Sequence, residues 1–257
     1  MKIEQVALQT YTIRESMKTP ADIAASLKKV RKIGYRAIQA SALGPIDDAE
    51  LVRIAGGEGL TICATHEPSD TILEQPEKVA ERLHRLGCRI TAYPSPKGVD
   101  LASRDAVEAW IRKLDNAGRV LHENGLVLAY HNHHHEFRHL DGRCLFELIF
   151  EKTDPQHLQG EIDTYWVQYG GASPLEWCER LAGRLPILHL KDYRITDEAK
   201  PDYAEIGYGN INFKPIIEAS DRGGCQWYAV EQDTCPGDPF ESARMSFEYI
   251  RDHLCGA

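Results

Sequence analysis

Four short segments place metal-binding side chains directly after apolar, strand-like runs. Tyr130-His131-Asn132-His133-His134-His135-Glu136 follows Leu126-Val127-Leu128-Ala129. Glu161-Ile162-Asp163 follows the weakly apolar run 157–160. His189-Leu190-Lys191-Asp192 follows Leu185-Pro186-Ile187-Leu188, and Glu231-Gln232-Asp233 follows Trp227-Tyr228-Ala229-Val230. Carboxylates and imidazoles at the ends of separate strands converge when those strands close into a barrel. Three carboxylates and one imidazole make a mixed oxygen and nitrogen site. Such a site suits Mn²⁺, Mg²⁺, Co²⁺ or Fe²⁺ better than a thiolate zinc site. Asp163 and Glu231 end runs too apolar to hold an unpaired charge, so each needs a cation or several hydrogen-bond donors. A structural ion pair is the other reading of both, and a satisfied core histidine is the other reading of His189.

Further candidates share these strand ends. Lys191 lies two residues past His189 and faces the same side. It polarises a substrate oxygen there, or it pairs with Asp192 or Asp233. Glu161 shares the face of Asp163, as an acceptor behind a ligand histidine, a general base or a barrel-interior salt bridge. His66 ends a third strand and is expected to bond substrate. Gln9, Tyr11 and Gln39 end the first two strands as candidate hydroxyl contacts. Tyr165 and Trp166 follow Asp163 and stack on a ring or fill the core. If the histidine run is extended, His131, His133 and His135 share one face and His134 opposes them. His133 is then expected to line the pocket, His134 and His135 its rim, and His139 the surface.

The elements that must position these groups alternate along the chain. Strands are expected over 3–10, 35–41, 60–65, 88–93, 126–132, 158–163, 185–190 and 226–231. Helices are expected over 20–33, 47–58, 74–86, 103–124, 143–152, 174–182, 213–222 and 239–253. Thr19, Ser173 and Asp238 stand at N-cap positions, each followed by proline, and Gly34 closes the first helix. Eight strand–helix pairs in 257 residues match the ~250 residues of one parallel barrel. A doubly wound open sheet is the rival, but Leu8-Gln9-Thr10-Tyr11-Thr12 replaces its glycine-rich phosphate loop. The stretch 192–212 is the longest irregular one and is expected to be an active-site loop.

A formal net charge of −9 argues against non-specific nucleic-acid or anionic-membrane binding. No run nears the ~20 apolar residues of a membrane span. The start shows no secretory pattern, so a cytoplasmic location is expected. Seven dispersed cysteines without a C-x-x-C pair read as reduced thiols rather than a disulfide framework or zinc finger.

Six pieces of the chain, in order, carry a family resemblance. They are Leu8-Gln9-Thr10-Tyr11-Thr12-Ile13-Arg14, Gly34-Tyr35-Arg36-Ala37-Ile38-Gln39, Cys63-Ala64-Thr65-His66, Tyr130-His131-Asn132-His133, Leu188-His189-Leu190-Lys191-Asp192 and Tyr228-Ala229-Val230-Glu231-Gln232-Asp233. Together they resemble the sugar phosphate isomerase/epimerase group of the xylose-isomerase-like TIM barrels, over nearly the full length.

The resemblance implies a single (β/α)₈ domain over residues 1–257. It implies one divalent metal, Mn²⁺ first, with Mg²⁺, Co²⁺, Fe²⁺ and Zn²⁺ open. Ligands come from strands five to eight: Asp163, His189 and Glu231 match the last three positions. Strand five lacks the usual glutamate, so Glu136 is expected to curl back, with His131 and His133 as alternatives. The implied activity is isomerisation or epimerisation of a sugar or cyclitol by proton removal next to a carbonyl. Glu231 is the base with Glu136 opposite, and Lys191 and His66 hold substrate oxygens. Gln9, Tyr11, Gln39, His133, Glu161 and Trp166 are the expected substrate contacts. The same enolate can expel a β-substituent, so a lyase acting on an inosose or 3-keto-glycoside is the alternative. A nuclease is disfavoured by the charge and the single ligand set. A non-catalytic sugar-binding barrel is disfavoured by the complete Asp163, His189 and Glu231. The substrate, its phosphorylation and a homo-oligomeric state stay open.

Overall fold

In the computed structural model, which describes residues 1–256, eight parallel strands close on themselves. They are β1 (Val6–Gln9), β2 (Ala37–Ala40), β3 (Thr61–His66), β4 (Ile90–Tyr93), β5 (Val127–His131), β6 (Leu158–Asp163), β7 (Ile187–Leu190) and β8 (Trp227–Val230). β1 pairs with both β2 and β8, which leaves no open edge. The expected (β/α)₈ barrel is the observed fold.

Strand alternation explains how the barrel carries its chemistry. Leu128, Tyr130, Ile162, Leu188, Leu190, Tyr228 and Val230 point outward into the core beneath the helices. Their neighbours point inward. A lower inner layer of small residues includes Ala7, Ala37, Ala92, Ala129 and Ala229. Continuing each strand by two residues brings His131, Glu161, Asp163, His189 and Glu231 to the same inner side. Register sets their heights: His131 faces Glu161 across β5 and β6, and Asp163 faces His189 across β6 and β7.

The helices start where local chemistry directs. Thr19, Ser173 and Asp238 accept the backbone N–H of Asp22, Glu176 and Phe240, as N-caps do. Gly34 has φ of 133°, and a Cβ there would fall 2.3 Å from the Phe247 ring, so this helix stop requires glycine.

Several boundaries differ from the sequence-based expectation. Residues 3–5 form a 3-10 turn before β1. The helix expected over 74–86 spans Pro76–Leu86, and a separate unexpected helix, Ser69–Glu74, precedes it; Gln75 leaves helical geometry and Pro76 cannot continue the first. Arg143 and Cys144 belong to a short hairpin with His139 and Leu140, and the helix begins at Leu145. A short helix, Thr164–Tyr169, follows Asp163. The stretch 192–212 contains an antiparallel hairpin, Asp192–Ile195 with Pro201–Ala204. The Asp192 carboxylate secures it by accepting the backbone N–H groups of Tyr193, Gly207, Gly209 and Ile211 at 2.7–3.1 Å. No helix among the described residues is long and apolar enough to cross a membrane.

Candidate functional site

At the C-terminal mouth of the barrel, β5 to β8 deliver His131, Asp163, His189 and Glu231. Each offers a ligand atom within 4.8 Å of the others, and all four are buried. The His189 ring has two distinct sides. Its Nδ1 lies 3.2 Å from Glu231 Oε2 and 3.8 Å from Asp163 Oδ2. Its Nε2 lies 2.7 Å from Gln39 Oε1 and 3.0 Å from Glu161 Oε1. A carboxylate or amide behind one nitrogen fixes the tautomer that turns the other toward a cation.

Glu161 is the hub of this floor. Its Oε1 is 2.5 Å from His66 Nε2 and 3.2 Å from His131 Nδ1, and its Oε2 accepts Gln39 Nε2 at 2.6 Å. Burial alone would raise its pKa, but the charges of His189 and His66 outweigh that and hold it well below the carboxylate range.

Lys191, fully buried, extends its ammonium to 2.7 Å from Asp233, 2.9 Å from Glu231 and 3.4 Å from Asp163. Burial works against this charge, but Asp163, Glu231 and Asp233 together raise its pKa well above the ordinary lysine value. Asp192 is spent on backbone N–H groups, so Asp233 is the pairing partner of the two the sequence suggested. Burial pushes the Asp163 carboxyl up to about 6, against Lys191 and His189. Glu231 stays well below the carboxylate range because Lys191 and His189 outweigh its burial. Burial lowers His189, yet Glu161 and Glu231 carry it up to about 10.

These residues fit a divalent cation. Asp163 Oδ2 is buried and accepts no hydrogen bond among the described residues; the Lys191 ammonium at 3.4 Å is its positive neighbour, and its lone pairs stay open to a cation. Two carboxylates and two imidazoles form a donor set for Mn²⁺, Fe²⁺, Co²⁺ or Zn²⁺, and less so for the oxygen-preferring Mg²⁺.

Glu136 is not brought into this group. The strand ends at His131, and a 3-10 turn over His135–Phe137 rotates the Glu136 carboxylate back below the chain. There it accepts the Tyr130 hydroxyl at 2.7 Å and the His133 backbone N–H at 2.9 Å, and it meets His135 Nε2 at 3.1 Å. Its neighbours are His133 and His135, a separate cluster. The same turn ends the alternation expected of the histidine run.

A cavity of about 360 Å³ opens above the floor, lined by His66, His131, His133, Lys191 and Glu231, with Tyr11 at its rim. Gln39 lies beneath it, fully buried with both ends of its amide engaged, and so supports Glu161 and His189 instead of meeting a ligand. Gln9 is likewise buried, its Oε1 accepting the Tyr11 N–H. Trp166 stands behind the wall. Its ring is 5.4 Å from Lys191 Nζ and 5.4 Å from the His133 ring. A larger groove of about 590 Å³, lined by Phe137, Glu147, Trp177 and Arg180, lies away from all these groups. The sequence reading passed over Glu67, Ser41 and Ser95 in the cavity wall. Glu67 adjoins His66 just past β3, where period-two alternation would turn it away from the inner face.

Comparison with known proteins places this geometry in context. The family described as xylose isomerase-like TIM barrel matches residues 27–253. An inosose dehydratase of Geobacillus thermodenitrificans (strain NG80-2) is 31% identical over 169 residues, covering 58% of this chain and 56% of that protein. The chain thus spans little more than half the length of that relative. A sugar phosphate isomerase/epimerase from Parabacteroides distasonis ATCC 8503 superposes with a TM-score of 0.84 at 22% identity, covering 98% of this chain and 95% of that one. A xylose isomerase-like TIM barrel protein from Mycobacterium smegmatis, solved in complex with magnesium, gives 0.73 at 16% identity, covering 99% and 98%. At such identities these two structures speak to the fold.

Proposed function

Since the chain belongs to the xylose isomerase-like TIM barrel family, we propose that it is a divalent-metal-dependent enzyme that removes the proton next to the carbonyl of a keto-sugar or keto-cyclitol. Within that class we read it as a dehydratase that eliminates a β-hydroxyl. His131, Asp163, His189 and Glu231 would hold the metal. When bound, the metal supplies Lewis-acid stabilisation of negative charge developing on the carbonyl oxygen.

The chain's own residues handle the protons. Glu231, kept ionised by Lys191 and His189, is the base that takes the C–H proton. The C–H electron pair becomes the C=C of an enolate. Lys191 donates a hydrogen bond to the charged oxygen. The enolate then expels the β-hydroxyl, protonated by His66 so that it leaves as water. Glu161, 2.5 Å behind His66 Nε2, orients that ring with Nδ1 free to face the leaving group. Proton and electron counts close on an enone and one water.

The position of Glu136 carries the choice of elimination. Epimerisation by the pair of glutamates that the resemblance implies needs Glu136 to face the substrate. Glu136 is instead engaged by Tyr130, His133 and His135. The match to an inosose dehydratase supports the same reading. This order reverses the one drawn from the resemblance, where isomerisation came first. Mass spectrometry after incubating Mn²⁺-loaded protein with 2-keto-myo-inositol is the test. A product lighter by one water is expected. Recovery of an epimer or isomer of unchanged mass would reject elimination and restore the isomerase reading.

A further inference from the structure

We infer that Glu67 is a specificity residue that binds a substrate hydroxyl and selects an uncharged polyol over its phosphate ester. The inference rests on the keto-polyol reading above and narrows its substrate class.

Glu67 lines the cavity from the end of β3, on a different strand from the metal-binding set. The residue is only 4% exposed. Its Oε1 pairs with Arg82, which is held from behind by Asp48 at 3.0 Å, and Arg85 reinforces Asp48 at 2.9 Å. No hydrogen bond from the described residues reaches the other oxygen, Oε2. Among the described residues this leaves one oriented carboxylate oxygen of a largely buried residue open to the cavity with no donor, the arrangement that accepts a hydroxyl. Ser41 and Ser95 lie in the same wall, and hydroxyls can donate or accept as a polyol requires.

Charge in the cavity argues the same way. A phosphate dianion needs surplus cations, arginine above all. The lining contains no arginine, and its one lysine is Lys191. That ammonium already faces Asp163, Glu231 and Asp233. One ammonium against three carboxylates leaves two negative charges, which a divalent cation cancels. Arg82 cancels Glu67 and lies outside the lining. The lining keeps no surplus positive charge for a phosphate, and the open Glu67 Oε2 meets a ligand with a lone pair instead of a donor. The cavity of about 360 Å³ is at the small end of ligand sites, roughly 300–1,000 Å³, and suits a single six-carbon unit.

Calorimetric titration of Mn²⁺-loaded protein tests this with three probes: 2-keto-myo-inositol, D-fructose and D-fructose 6-phosphate. The expected result is that at least one neutral probe binds about tenfold or more tighter than the phosphate ester. Glu67→Gln should weaken neutral binding roughly tenfold or more, the loss of one hydrogen bond to a charged group, and narrow the gap to the phosphate. Glu67→Asp keeps the charge with a shorter reach, so it should still reject the phosphate while binding the neutral probe more weakly. Equal or tighter binding of the phosphate ester would overturn the inference, as would unchanged neutral affinity in both variants. Product analysis on the same samples reads the keto-polyol chemistry separately. Selective binding without turnover would uphold Glu67 and count against the proposed reaction.

Discussion

Glu161 Oε1 and His66 Nε2 lie 2.5 Å apart, which ties the buried floor of the barrel to the wall of the cavity. Glu161 also lies 3.0 Å from His189 Nε2. One carboxylate therefore stands behind a proposed metal ligand and behind the proposed acid.

Substituting that carboxylate should cost both roles at once. Glu161→Gln is expected to loosen the metal about 10–100-fold and to lower turnover of fully loaded protein about 10²–10⁴-fold. His66→Gln should lower turnover alike with metal affinity near normal. Elemental analysis and metal titration of the two variants separate these effects. Unchanged metal affinity in Glu161→Gln would remove Glu161 from its supporting role.

The fourth ligand is decided by a pair of variants. His131→Ala is expected to lose metal, whereas Glu136→Gln should retain it. The second change still weakens the fold by about 1–3 kcal/mol, because buried groups lose a charged acceptor. Metal content and thermal melting report the two outcomes. Loss of metal from Glu136→Gln with retention in His131→Ala would return Glu136 to the ligand set.

Lys191 is a proposed substrate contact and not a ligand. Lys191→Met is expected to reduce turnover about 10²–10⁴-fold with metal content maintained. It also leaves Asp163, Glu231 and Asp233 without their ammonium. The metal-free variant should therefore melt lower than metal-free wild type, and added Mn²⁺ should raise its melting point more. Near-normal turnover would reduce Lys191 to an ion-pair partner of Asp233.

Metal and proton compete for His189. Burial lowers its pKa, but Glu161 and Glu231 raise it from 6.5 to about 10. In the metal-free protein the charged ring contributes stability that is fully present below the unfolded value of about 6.5. That contribution is lost as pH rises through about 10. Metal binding needs the neutral ring, so affinity moves the other way and tightens roughly tenfold per pH unit between about pH 7 and 9. Calorimetry in buffers of different ionisation enthalpy should show about one proton released per metal. A flat affinity over that range would place the competing proton elsewhere.

The barrel was legible because its signals are local. Alternating apolar runs mark the strands, and Thr19, Ser173 and Asp238 announce helices within three residues of their own positions. Asp163, His189 and Glu231 follow from the same alternation carried past the strand ends. What escaped depends on distant partners or on a local break in geometry. Gln39 reads as a substrate-hydroxyl contact until His189, far along the chain, engages it. Glu67 gains its role from Arg82 on a helix outside the barrel. Glu136 was misplaced because a 3-10 turn at His135 ends the period-two pattern on which its reach was judged.

Solvent exchange tests the central claim most directly. Mn²⁺-loaded protein would be incubated with 2-keto-myo-inositol in D₂O, and substrate and product examined by NMR at the carbons flanking the carbonyl. Removal of a carbon-bound proton by Glu231 predicts that the C–H signal at one flanking carbon is lost as the enone forms. Glu231→Gln should abolish that loss. A product that keeps both flanking protons, or takes up no solvent deuterium while isomerising by internal hydride transfer, would contradict proton abstraction next to the carbonyl.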